Sequence, residues 1–484
     1  MLKEKIMCTE AIIMPEKPTF DTMTKTIDVL EIIDIADEGR GIGKWEGRAV
    51  FVKHVVPGDI VEVEVKRKKN KFIEASVKEY KSYSPFRIKP ECRHFGVCGG
   101  CKRQDMTYEK QLFYKQKQVK DALQRIAHIE NPEIENILAS QSIFHYRNRL
   151  DFAFSDKEWM TSEQVQNPEY VSQPALGFHV TGRFDKVLNI TECLLQEDLS
   201  NKIRNFVREY ALKHNYTFFN RISQHGMLRN MIVRNTTKGQ WMVAIMFKDA
   251  GKTEREQLLK AVAEQFPQIT SLYSVINPKK NDTFFDLEFE LFSGDSFITE
   301  EMEGLNFQIG PKTFYQTNPV QAYELYKTAR EFAELSKEDH VYDLYTGTGT
   351  IAAFVASQCK HVTGIESVAE SVESAKINSQ LNQISNTSFF AGDMREILTN
   401  EFYSQQGFPD VIITDPPRAG MHPEVVKVIC NSGARRVVYV SCNVATQARD
   451  IALMQDHYRF IKCRPVDMFP QTDHVENVAL LEKI

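Results

Sequence analysis

Long hydrophobic runs are missing from this sequence. No apolar stretch approaches the roughly 20 residues that a bilayer-spanning helix needs. The opening MLKEKIMCTEAIIMPEKP lacks the apolar segment and small-residue cleavage site of a secretory signal. Internal repeats and low-complexity segments are absent too. These absences argue against a helical membrane protein, and we expect the protein to work in the cytoplasm.

Cysteine is scarce and odd in number, with nine among 484 residues. In a large chain without a signal this is typical of a reducing compartment, so we expect the cysteines to serve catalysis or metal binding rather than disulfides. An excess of positive charge is also missing, because 65 acidic residues outnumber 60 basic ones and the net charge is -5. The overall charge therefore gives no indication of a nucleic-acid partner.

What the chain does contain is enough material for several domains. With 484 residues, 42% hydrophobic and 26% charged, it is too long for one compact core and has an ordinary globular composition. The patterns along the chain predict a multidomain α/β protein. Its expected parts are a flexible tail at 1–20, an OB-like β-barrel at 21–82, a central α+β domain at 83–300 and a Rossmann-like domain at 301–484. Each set of motifs occurs once, so a monomer is the expected state.

Short alternating runs extend from Thr26 to Val77. IDVLEIID, GRAVFVKHV, DIVEVEVKRKK and FIEASVKEY predict about five strands in a small barrel. Between Val61 and Pro90 nine Lys or Arg stand against four Asp or Glu. Either a solvated hairpin tip or a surface for RNA phosphates fits this local excess of positive charge. The segment ADEGRGIGKWEGRAVFVKHVVPGDIVEVEV resembles a TRAM domain, which is an RNA-binding barrel.

From about Glu301 the pattern changes to apolar runs that end in polar or small residues. HVYDLYTGTGT, HVTGIES, TSFFAGD, PDVIITDPP and RRVVYVSCN are of this kind, and helical stretches such as SVAESVESAKINSQLN separate them. This alternation predicts βαβ units and a parallel, doubly wound sheet. Ligands of such sheets bind at the carboxyl ends of the strands, where the polar tails lie.

The first of these strands runs into a glycine loop. Asp343-Leu-Tyr-Thr-Gly-Thr-Gly-Thr places Gly347 and Gly349 where glycine lets the backbone approach a ligand. The next strand ends at Glu366, whose carboxylate can accept hydrogen bonds from both ribose hydroxyls. NAD and S-adenosylmethionine sites share this arrangement, so it predicts a nucleoside-containing ligand without deciding between them.

Asp415-Pro-Pro-Arg418 ends the fourth strand of this region. A related (Asn/Asp)-Pro-Pro-aromatic motif is typical of methyltransferases that act on exocyclic amines, where the aromatic ring stacks on the base. Arg418 stands in place of that ring, which argues against methylation of an amine.

Ser441-Cys442-Asn443 ends a later strand, so Cys442 should lie at the same edge of the sheet. The helix VATQARDIALMQ follows directly, and we expect its N-terminus to lower the pKa of the thiol. The turn Asp473-His474-Val475-Glu476-Asn477 can bring a carboxylate to this edge. Methylation of uracil C5 needs both groups, because a thiolate must add to C6 and a base must then remove the C5 proton. The target base must be presented outside any stack.

Four motifs occur together in the order typical of one family. SCNVATQARD resembles the SCNPATLARD-type motif of the RNA uracil-5-methyltransferases, DPPRAG and HVE match other signatures of that family, and PKTFYQTN resembles its Phe-x-Gln-x-Asn segment. The resemblance implies that Cys442 is the nucleophile and Glu476 the base. It also implies that S-adenosylmethionine is bound by Gln316, Tyr345, Thr350, Glu366, Asp393 and Asp415. Departures are Val444 in place of a common proline and Thr350 where asparagine is frequent, which leaves that cofactor contact open.

Three thiols, Cys92, Cys98 and Cys101, are packed into ten residues, and Cys193 is the best candidate for a fourth ligand. Four thiolates can hold zinc or a [4Fe–4S] cluster, and the spacing does not separate the two. A tight C-x5-C-x2-C run with a remote fourth cysteine resembles the cluster-bearing branch of the same family, which implies a [4Fe–4S] cluster in a structural or RNA-positioning role. We interpret the other cysteines as bystanders: Cys8, Cys359, Cys430 and Cys463.

The substrate and two other functions remain to be weighed. Family members that have both a TRAM barrel and the cysteine cluster generally act on large-subunit ribosomal RNA, so the resemblance implies 23S-type ribosomal RNA, with transfer RNA as the alternative. An NAD-dependent iron–sulfur oxidoreductase leaves the Ser-Cys-Asn and Asp-Pro-Pro-Arg motifs unexplained. The presence of Cys442 and Glu476 argues against a catalytically inactive RNA-binding protein.

Several polar residues of the central domain line either an RNA groove, which we favour, or the outer face of a half-buried sheet: Arg147, Asn148, Arg149, Arg229 and Arg234.

Overall fold

The computed structural model describes residues 26–36, 39–249 and 251–484. The predicted tail at 1–20 lies outside the described residues. The chain divides into two compact units, one with the barrel strands up to Pro85 and one with Phe86–Ile484. In the part of the chain that the structure describes, no helix is both long and apolar enough to cross a bilayer.

The first unit is a closed barrel with strand order β1-β2-β3-β5-β4. Its strands are β1 (Thr26–Ala36), β2 (Arg40–Trp45), β3 (Arg48–Lys53), β4 (Ile60–Lys68) and β5 (Phe72–Ser82). Alternate residues face inward, so that Val61 and Val63 of β4 are fully buried while Glu62 and Glu64 are not. The predicted barrel is confirmed, and the densest basic stretch occupies the tip of the β4–β5 hairpin.

The second unit begins with a helix and a mostly antiparallel sheet of order β12-β11-β10-β9-β6-β7-β8, in which β10 and β11 run parallel. Its strands are β6 (Arg149–Ser155), β7 (Ala175–His179), β8 (Val187–Asn189), β9 (Leu228–Asn235), β10 (Trp241–Phe247), β11 (Ile269–Ile276) and β12 (Phe289–Gly294). The helices are α1 (Tyr108–Arg125), α2 (Ser162–Gln166), α3 (Asp198–Lys213) and α4 (Lys252–Gln265). Apolar residues of α3 and α4 cover one face of this sheet.

A two-stranded hairpin, β13 (Ile298–Met302) and β14 (Leu305–Ile309), leads to the second sheet. The expected domain boundary at residue 300 falls inside β13. The second sheet has the order β17-β16-β15-β18-β19-β21-β20 and is parallel except for β21. Its strands are β15 (His340–Leu344), β16 (His361–Glu366), β17 (Thr387–Ala391), β18 (Val411–Thr414), β19 (Arg436–Ser441), β20 (Tyr458–Val466) and β21 (Glu476–Lys483).

Helices cover both faces of the second sheet, as the alternating pattern predicted. They are α5 (Pro319–Ala333), α6 (Thr350–Ala356), α7 (Ala369–Leu381), α8 (Met394–Ile397), α9 (Asn400–Gln406), α10 (Pro423–Asn431) and α11 (Val444–Met454). Residues of α5, α6 and α7 share one core with β9, β10 and β11. Residues of α10 and α11 form the core of the other face together with α1. The helix that precedes the central sheet therefore packs against the second sheet.

Candidate active site

Three polar segments emerge side by side at the carboxyl edge of the second sheet. Parallel pairing aligns Leu344 of β15 with Thr414 of β18, and Thr414 with Tyr439 of β19. The segments that follow these strands are the glycine loop, the Asp415-Pro-Pro-Arg418 loop and the turn with Cys442. This is the edge at which ligand binding was predicted.

Cys442 lies half-buried in the turn between β19 and α11. The next residue, Asn443, caps α11, because its side-chain oxygen accepts hydrogen bonds from the N–H groups of Ala445 (3.1 Å) and Thr446 (3.5 Å). The Asn443 amide also donates to the main-chain carbonyl of Arg418 at 3.0 Å, and the Thr446 hydroxyl donates to the same carbonyl at 3.2 Å. These bonds fix the loop that carries Arg418 beside the turn that carries Cys442.

Glu476 is the first residue of β21, the antiparallel neighbour of β19. The register pairs Ser441 with Asn477, so the residue after Ser441, which is Cys442, lies beside Glu476. Gln447 of α11 reinforces this pairing, since it donates to the Asn477 carbonyl at 3.1 Å and accepts from the Asn477 amide at 2.7 Å. Glu476 is only 4% exposed. The structure thus brings the two predicted reacting side chains together.

The surroundings of Cys442 oppose its ionisation. Burial, followed by the charges of Glu476 and Asp415, raises the pKa of the Cys442 thiol to about 11, while Arg418 acts in the opposite direction through its charge and a hydrogen bond. The predicted lowering of this pKa by the helix N-terminus is therefore wrong. The physical reason is that burial removes water from the thiolate and that the charges of Glu476 and Asp415 act against it.

The two carboxyl groups near the thiol have pKa values close to neutrality. Burial, with a smaller contribution from Asp415, raises the pKa of Glu476 to about 8, and Arg418 limits this rise. Burial raises the pKa of Asp415 to about 7. Acids with such values can accept and release protons near physiological pH. The role of Arg418 as the counter-charge was missed in the sequence, where it only argued against methylation of an amine.

The glycine loop leaves room for a ligand. Gly347 and Gly349 have φ angles of 56° and 75°, a region that other residues rarely adopt. A Cβ atom on Gly347 would meet no atom within 4 Å. The Gly347 N–H donates to the Glu366 carboxylate at 3.2 Å, and the other carboxylate oxygen accepts from the Val368 N–H at 3.0 Å. Glu366 therefore lies at the end of β16 beside open space, as a ribose-binding carboxylate requires.

Asp343 supports the loop from within the core. One of its oxygens accepts hydrogen bonds from the Thr346 hydroxyl and from the Ala352 N–H. Its other oxygen is buried without a hydrogen-bond partner, and burial raises the pKa of Asp343 to about 7. Asp343 was not among the predicted site residues, although its position at the start of the glycine motif was a usable signal.

Gln316 and Tyr345 border the same edge. Gln316 precedes α5 and lies beside the buried Tyr326, which is also close enough to Asp415 to feel its charge. Tyr345 follows β15 with a φ angle of 64° and a half-buried side chain. Both residues thus lie on segments that face the ligand edge.

Thr350 and Asp393 are engaged within the protein. The Thr350 hydroxyl is buried and lies 3.3 Å from that of Thr348. Asp393 caps α8, and its ion pair with Arg395 lowers the pKa of Asp393 to about 2. A ligand would have to share the oxygen atoms of these two side chains.

The four predicted metal-binding cysteines line one cavity of about 870 Å³. Burial raises the pKa of Cys101 to about 12 and that of Cys98 to about 11, and neighbouring thiols add to both shifts. Cys92, Cys98, Cys101 and Cys193 are all free and partly exposed. Among the described residues, no three His, Cys, Asp or Glu side chains have the arrangement of a metal site.

The chain leading into β21 is held by the stretch that follows the cysteine run. The N–H groups of Lys102 and Arg103 both donate to the Gln471 carbonyl, at 2.7 and 3.1 Å. Lys115 of α1 pairs with Asp467 at 2.5 Å, and these side chains are only 2% and 0% exposed. The cysteine segment and the segment before Glu476 are therefore joined by direct contacts.

Only part of the predicted RNA groove is available for RNA. Arg229 and Arg234 are 1% exposed, and their guanidinium groups donate to main-chain carbonyls, such as those of Asn277 and Thr313. Asn148 is buried and donates to the Gln316 carbonyl. For Arg229 and Asn148 the groove prediction is wrong. Arg147 and Arg149 line the 870 Å³ cavity, and the buried Arg234 borders it as well.

Comparison with known proteins gives a consistent result. The tRNA (uracil-5-)-methyltransferase family matches residues 236–484, and the TRAM domain matches residues 24–78. An "uncharacterized RNA methyltransferase" of Bacteroides thetaiotaomicron is 54% identical over 93% of this chain and 100% of its own length. Another of Chlorobaculum tepidum is 37% identical over 94% of this chain and 96% of its own length. The crystal structure of Pyrococcus abyssi tRNA (uracil-54, C5)-methyltransferase in complex with S-adenosyl-L-homocysteine superposes with a TM-score of 0.71 at 28% identity, covering 93% of this chain and 100% of that one.

Proposed function

Because this chain belongs to the tRNA (uracil-5-)-methyltransferase family, we propose that it methylates C5 of a uridine in 23S-type ribosomal RNA, with Cys442 and Glu476 as the reacting side chains. The observation that carries the residue assignment is the adjacency of thiol and carboxyl group at the carboxyl edge of the sheet, where Ser441 pairs with Asn477. S-adenosylmethionine supplies the electrophilic methyl group.

The proposed reaction proceeds through a covalent adduct between Cys442 and uracil. The Cys442 thiol loses its proton to solvent, and the thiolate adds to uracil C6, so that the C5–C6 double bond opens to an enolate with a nucleophilic C5. C5 then displaces the methyl group from the sulfonium of S-adenosylmethionine, which leaves as S-adenosylhomocysteine. Glu476, as carboxylate, removes the C5 proton, and the bond between C6 and sulfur breaks so that the thiolate is regenerated. Arg418 favours both charged forms, because it lowers the pKa of Cys442 and that of Glu476.

The methyl donor would bind across the glycine loop. Glu366 would accept hydrogen bonds from the ribose hydroxyls, and the open space at Gly347 next to its carboxylate supports this assignment. Asp415, whose charge acts on Cys442 and Glu476, and Gln316 would face the amino-acid part of the donor. The proposed set of donor contacts is completed by Tyr345, Thr350 and Asp393. To bind the donor, Thr350 would give up its contact with Thr348, and Asp393 its ion pair with Arg395.

Two variants test the reaction, and each should block it at a different step. Cys442→Ala should abolish methyl transfer while S-adenosylmethionine binding persists; turnover by this variant would remove Cys442 as nucleophile. Glu476→Gln should let a covalent protein–RNA adduct accumulate, because elimination needs the C5 proton to leave. A gel without a shifted adduct would remove Glu476 as the base.

We further propose that the four cysteines hold a [4Fe–4S] cluster. The donor set supports this, since four free thiols line one cavity, although binding would require their side chains to converge. Protein purified without oxygen should be brown, with a broad absorbance near ~400 nm. Cys193→Ser should remove the colour, and Cys359→Ser, a buried cysteine elsewhere, should keep it. Colourless protein with stoichiometric zinc would overturn the assignment.

Ribosomal RNA is the proposed substrate because the chain combines a TRAM domain with the cysteine run. Transfer RNA is the second candidate, since a transfer-RNA enzyme is a similar solved structure. Methyl transfer to unmodified ribosomal and transfer RNA, followed by nucleoside mass spectrometry, separates the two. 5-Methyluridine in ribosomal RNA alone would support the proposal, and in transfer RNA alone would overturn the substrate while leaving the chemistry intact.

A further inference from the structure

The loop between β11 and β12 is fixed by a buried arginine. Arg229 is fully buried, and one guanidinium group binds successive parts of this loop. Its hydrogen bonds go to the carbonyls of Asn277, Lys279 and Asn281 and to the carboxylate of Asp282. The N–H donors of a guanidinium group are fixed in one plane, so movement of the loop would break several of these hydrogen bonds at once. The backbone of this segment is therefore held in one conformation.

This fixed loop displays an aromatic side chain to solvent. Phe284 is partly buried against the core, and Phe285 stacks on it with ring centroids 4.7 Å apart and an interplanar angle of 29°. Phe285 is 69% exposed. A ring of this size that stays exposed on an ordered loop does not contribute the free energy that its burial would provide. Exposed apolar side chains of this kind are frequent at binding surfaces.

Phe285 lines the 870 Å³ cavity together with Phe284, Arg147 and Arg149. Tyr315 and Thr317, the residues on either side of Gln316, line the same cavity. The cavity therefore borders the segment that carries a proposed contact of the methyl donor. An RNA strand that delivers a uridine to Cys442 would place its neighbouring nucleotides in this cavity.

The charges around the loop indicate that stacking, rather than phosphate binding, contributes most to the affinity of this loop for RNA. The acidic residues near Phe285 are largely paired: Asp282 with Arg229, Asp286 with Lys279 and Asp151 with Arg149. Arg229, Lys279 and Arg149 are neutralised in these same pairs, so the pairs contribute no net charge for binding phosphate. Base–aromatic stacking does not require net charge and accepts any base, because every base has a π face.

We propose that Phe285 is a stacking platform for an unstacked nucleobase of single-stranded RNA, next to the uridine that is methylated. The assignment rests on the proposed function for the identity of the neighbouring uridine. It adds a binding site for the flanking strand, at a residue outside the reacting groups. The base stacks on the exposed face of Phe285, and Phe284 supports the opposite face.

The first test places a fluorophore at the platform. Phe285→Trp should be quenched when a short single-stranded RNA with one uridine is added, after subtraction of the wild-type titration, which records the three native tryptophans. Phe408→Trp is the matched control, because Phe408 is 56% exposed but precedes β18, at the opposite edge of the sheet. Equal responses of the two variants would overturn the proposal.

The second test measures affinity. Phe285→Ala and Phe285→Leu should each weaken binding of this RNA about tenfold, whereas Phe285→Tyr should bind like the wild type, because only an aromatic face restores stacking. The loss should be the same at low and high salt. Removing the base next to the uridine should weaken wild-type binding and leave Phe285→Ala unaffected. Unchanged affinity in Phe285→Ala would overturn the platform.

The two proposals fail in different ways. If Phe285→Ala binds and methylates RNA like the wild type, the platform is wrong and the methyl-transfer function stands. If wild-type protein binds S-adenosylmethionine but methylates no RNA, the proposed function is wrong, while quenching of Phe285→Trp would still establish the stacking site. S-Adenosylmethionine affinity should be equal in all Phe285 variants, and a change in it would exclude a role confined to RNA.

Discussion

The thiol of Cys442 is surrounded by groups that act on its charge in opposite directions. Burial, Glu476 and Asp415 raise its pKa, and Arg418 lowers it. The same guanidinium lowers the pKa of Glu476, which burial raises. One cation therefore favours the charged forms of both the proposed nucleophile and the proposed base.

Replacing Arg418 should move the pH dependence of the reaction upward. In Arg418→Gln the pKa values of Cys442 and Glu476 rise, so less thiolate and less carboxylate exist at a given pH. We expect the single-turnover methyl-transfer rate at neutral pH to fall about tenfold, which corresponds to one pKa unit, and to recover at alkaline pH. Arg418→Lys keeps the charge and should show a smaller shift. A loss of rate that does not depend on pH would contradict this account.

Replacing Glu476 should stabilise the protein at alkaline pH. The pKa of Glu476 is raised from 4.5 to about 8, so the folded state binds a proton more tightly than the unfolded state does. Stability therefore falls as pH rises between these two values. Glu476→Gln avoids this loss, so its melting temperature should exceed the wild-type value by a few degrees at pH above about 8, with no difference below pH ~4.5. A difference independent of pH would show that the gain does not come from this proton.

The sequence predicted which residues meet at this edge but not their pKa values. Cys442 and Asp415 follow strands, and Glu476 begins one, so topology alone brings them together. The ionisation of the thiol depends instead on how deeply the side chain is buried and on how close Glu476, Asp415 and Arg418 lie to it. Such effects depend on side-chain positions that no periodicity encodes.

At the level of elements, helix α1 joins the cysteine segment to the active site. Lys115 is buried against Asp467, and Gln111 exchanges two hydrogen bonds with Gln471, at 3.0 and 2.9 Å. The segment between these partners and β21 leads directly to Glu476. The position of the proposed base therefore depends on a helix that packs from a distant part of the chain.

Lys115→Met should test this dependence. It leaves the Asp467 carboxylate buried without its cation, which costs about 3–5 kcal/mol. Urea denaturation should show this loss, and the Glu476-dependent elimination step should slow. Lys376→Met is the control, because its pair with Glu373 on α7 is exposed and should contribute little. Equal destabilisation by the two variants would contradict the importance of the buried pair.

The sequence of α1 does not indicate where this helix packs. Its polar composition concealed that Gln111 and Lys115 are buried, because hydrogen bonds to the segment around Gln471 replace their contacts with water. A helical sequence pattern indicates which face of the helix is apolar, but it does not indicate which element that face packs against. The barrel and the second sheet were predictable, since their alternations have clear periods, whereas the mixed pattern of the central domain left its sheet order open.

For the whole molecule, the net charge of -5 conceals the basic tip of the β4–β5 hairpin. Lys69 and Lys71 belong to this tip, and the Lys69 ammonium lies 4.8 Å from the centre of the Phe72 ring. Replacing both lysines with Gln should weaken RNA binding whatever the sequence, and should reduce the slope of log affinity against log salt by about 0.7 for each lost contact with single-stranded RNA. Lys252→Gln on α4 is the control, with a side chain 79% exposed. An unchanged slope would show that the lysines of the hairpin tip do not contact RNA phosphates.

The bonds between Gln111 and Gln471 span 360 positions of the chain. Closing so long a loop is entropically unfavourable, and contacts of this kind form late in folding. The glycine loop and Glu366, in contrast, are joined by contacts between near neighbours in sequence. A refolding chain should therefore regain affinity for S-adenosylmethionine before it regains methyl transfer, so the capacity to bind the donor and the capacity to use it are acquired at different times.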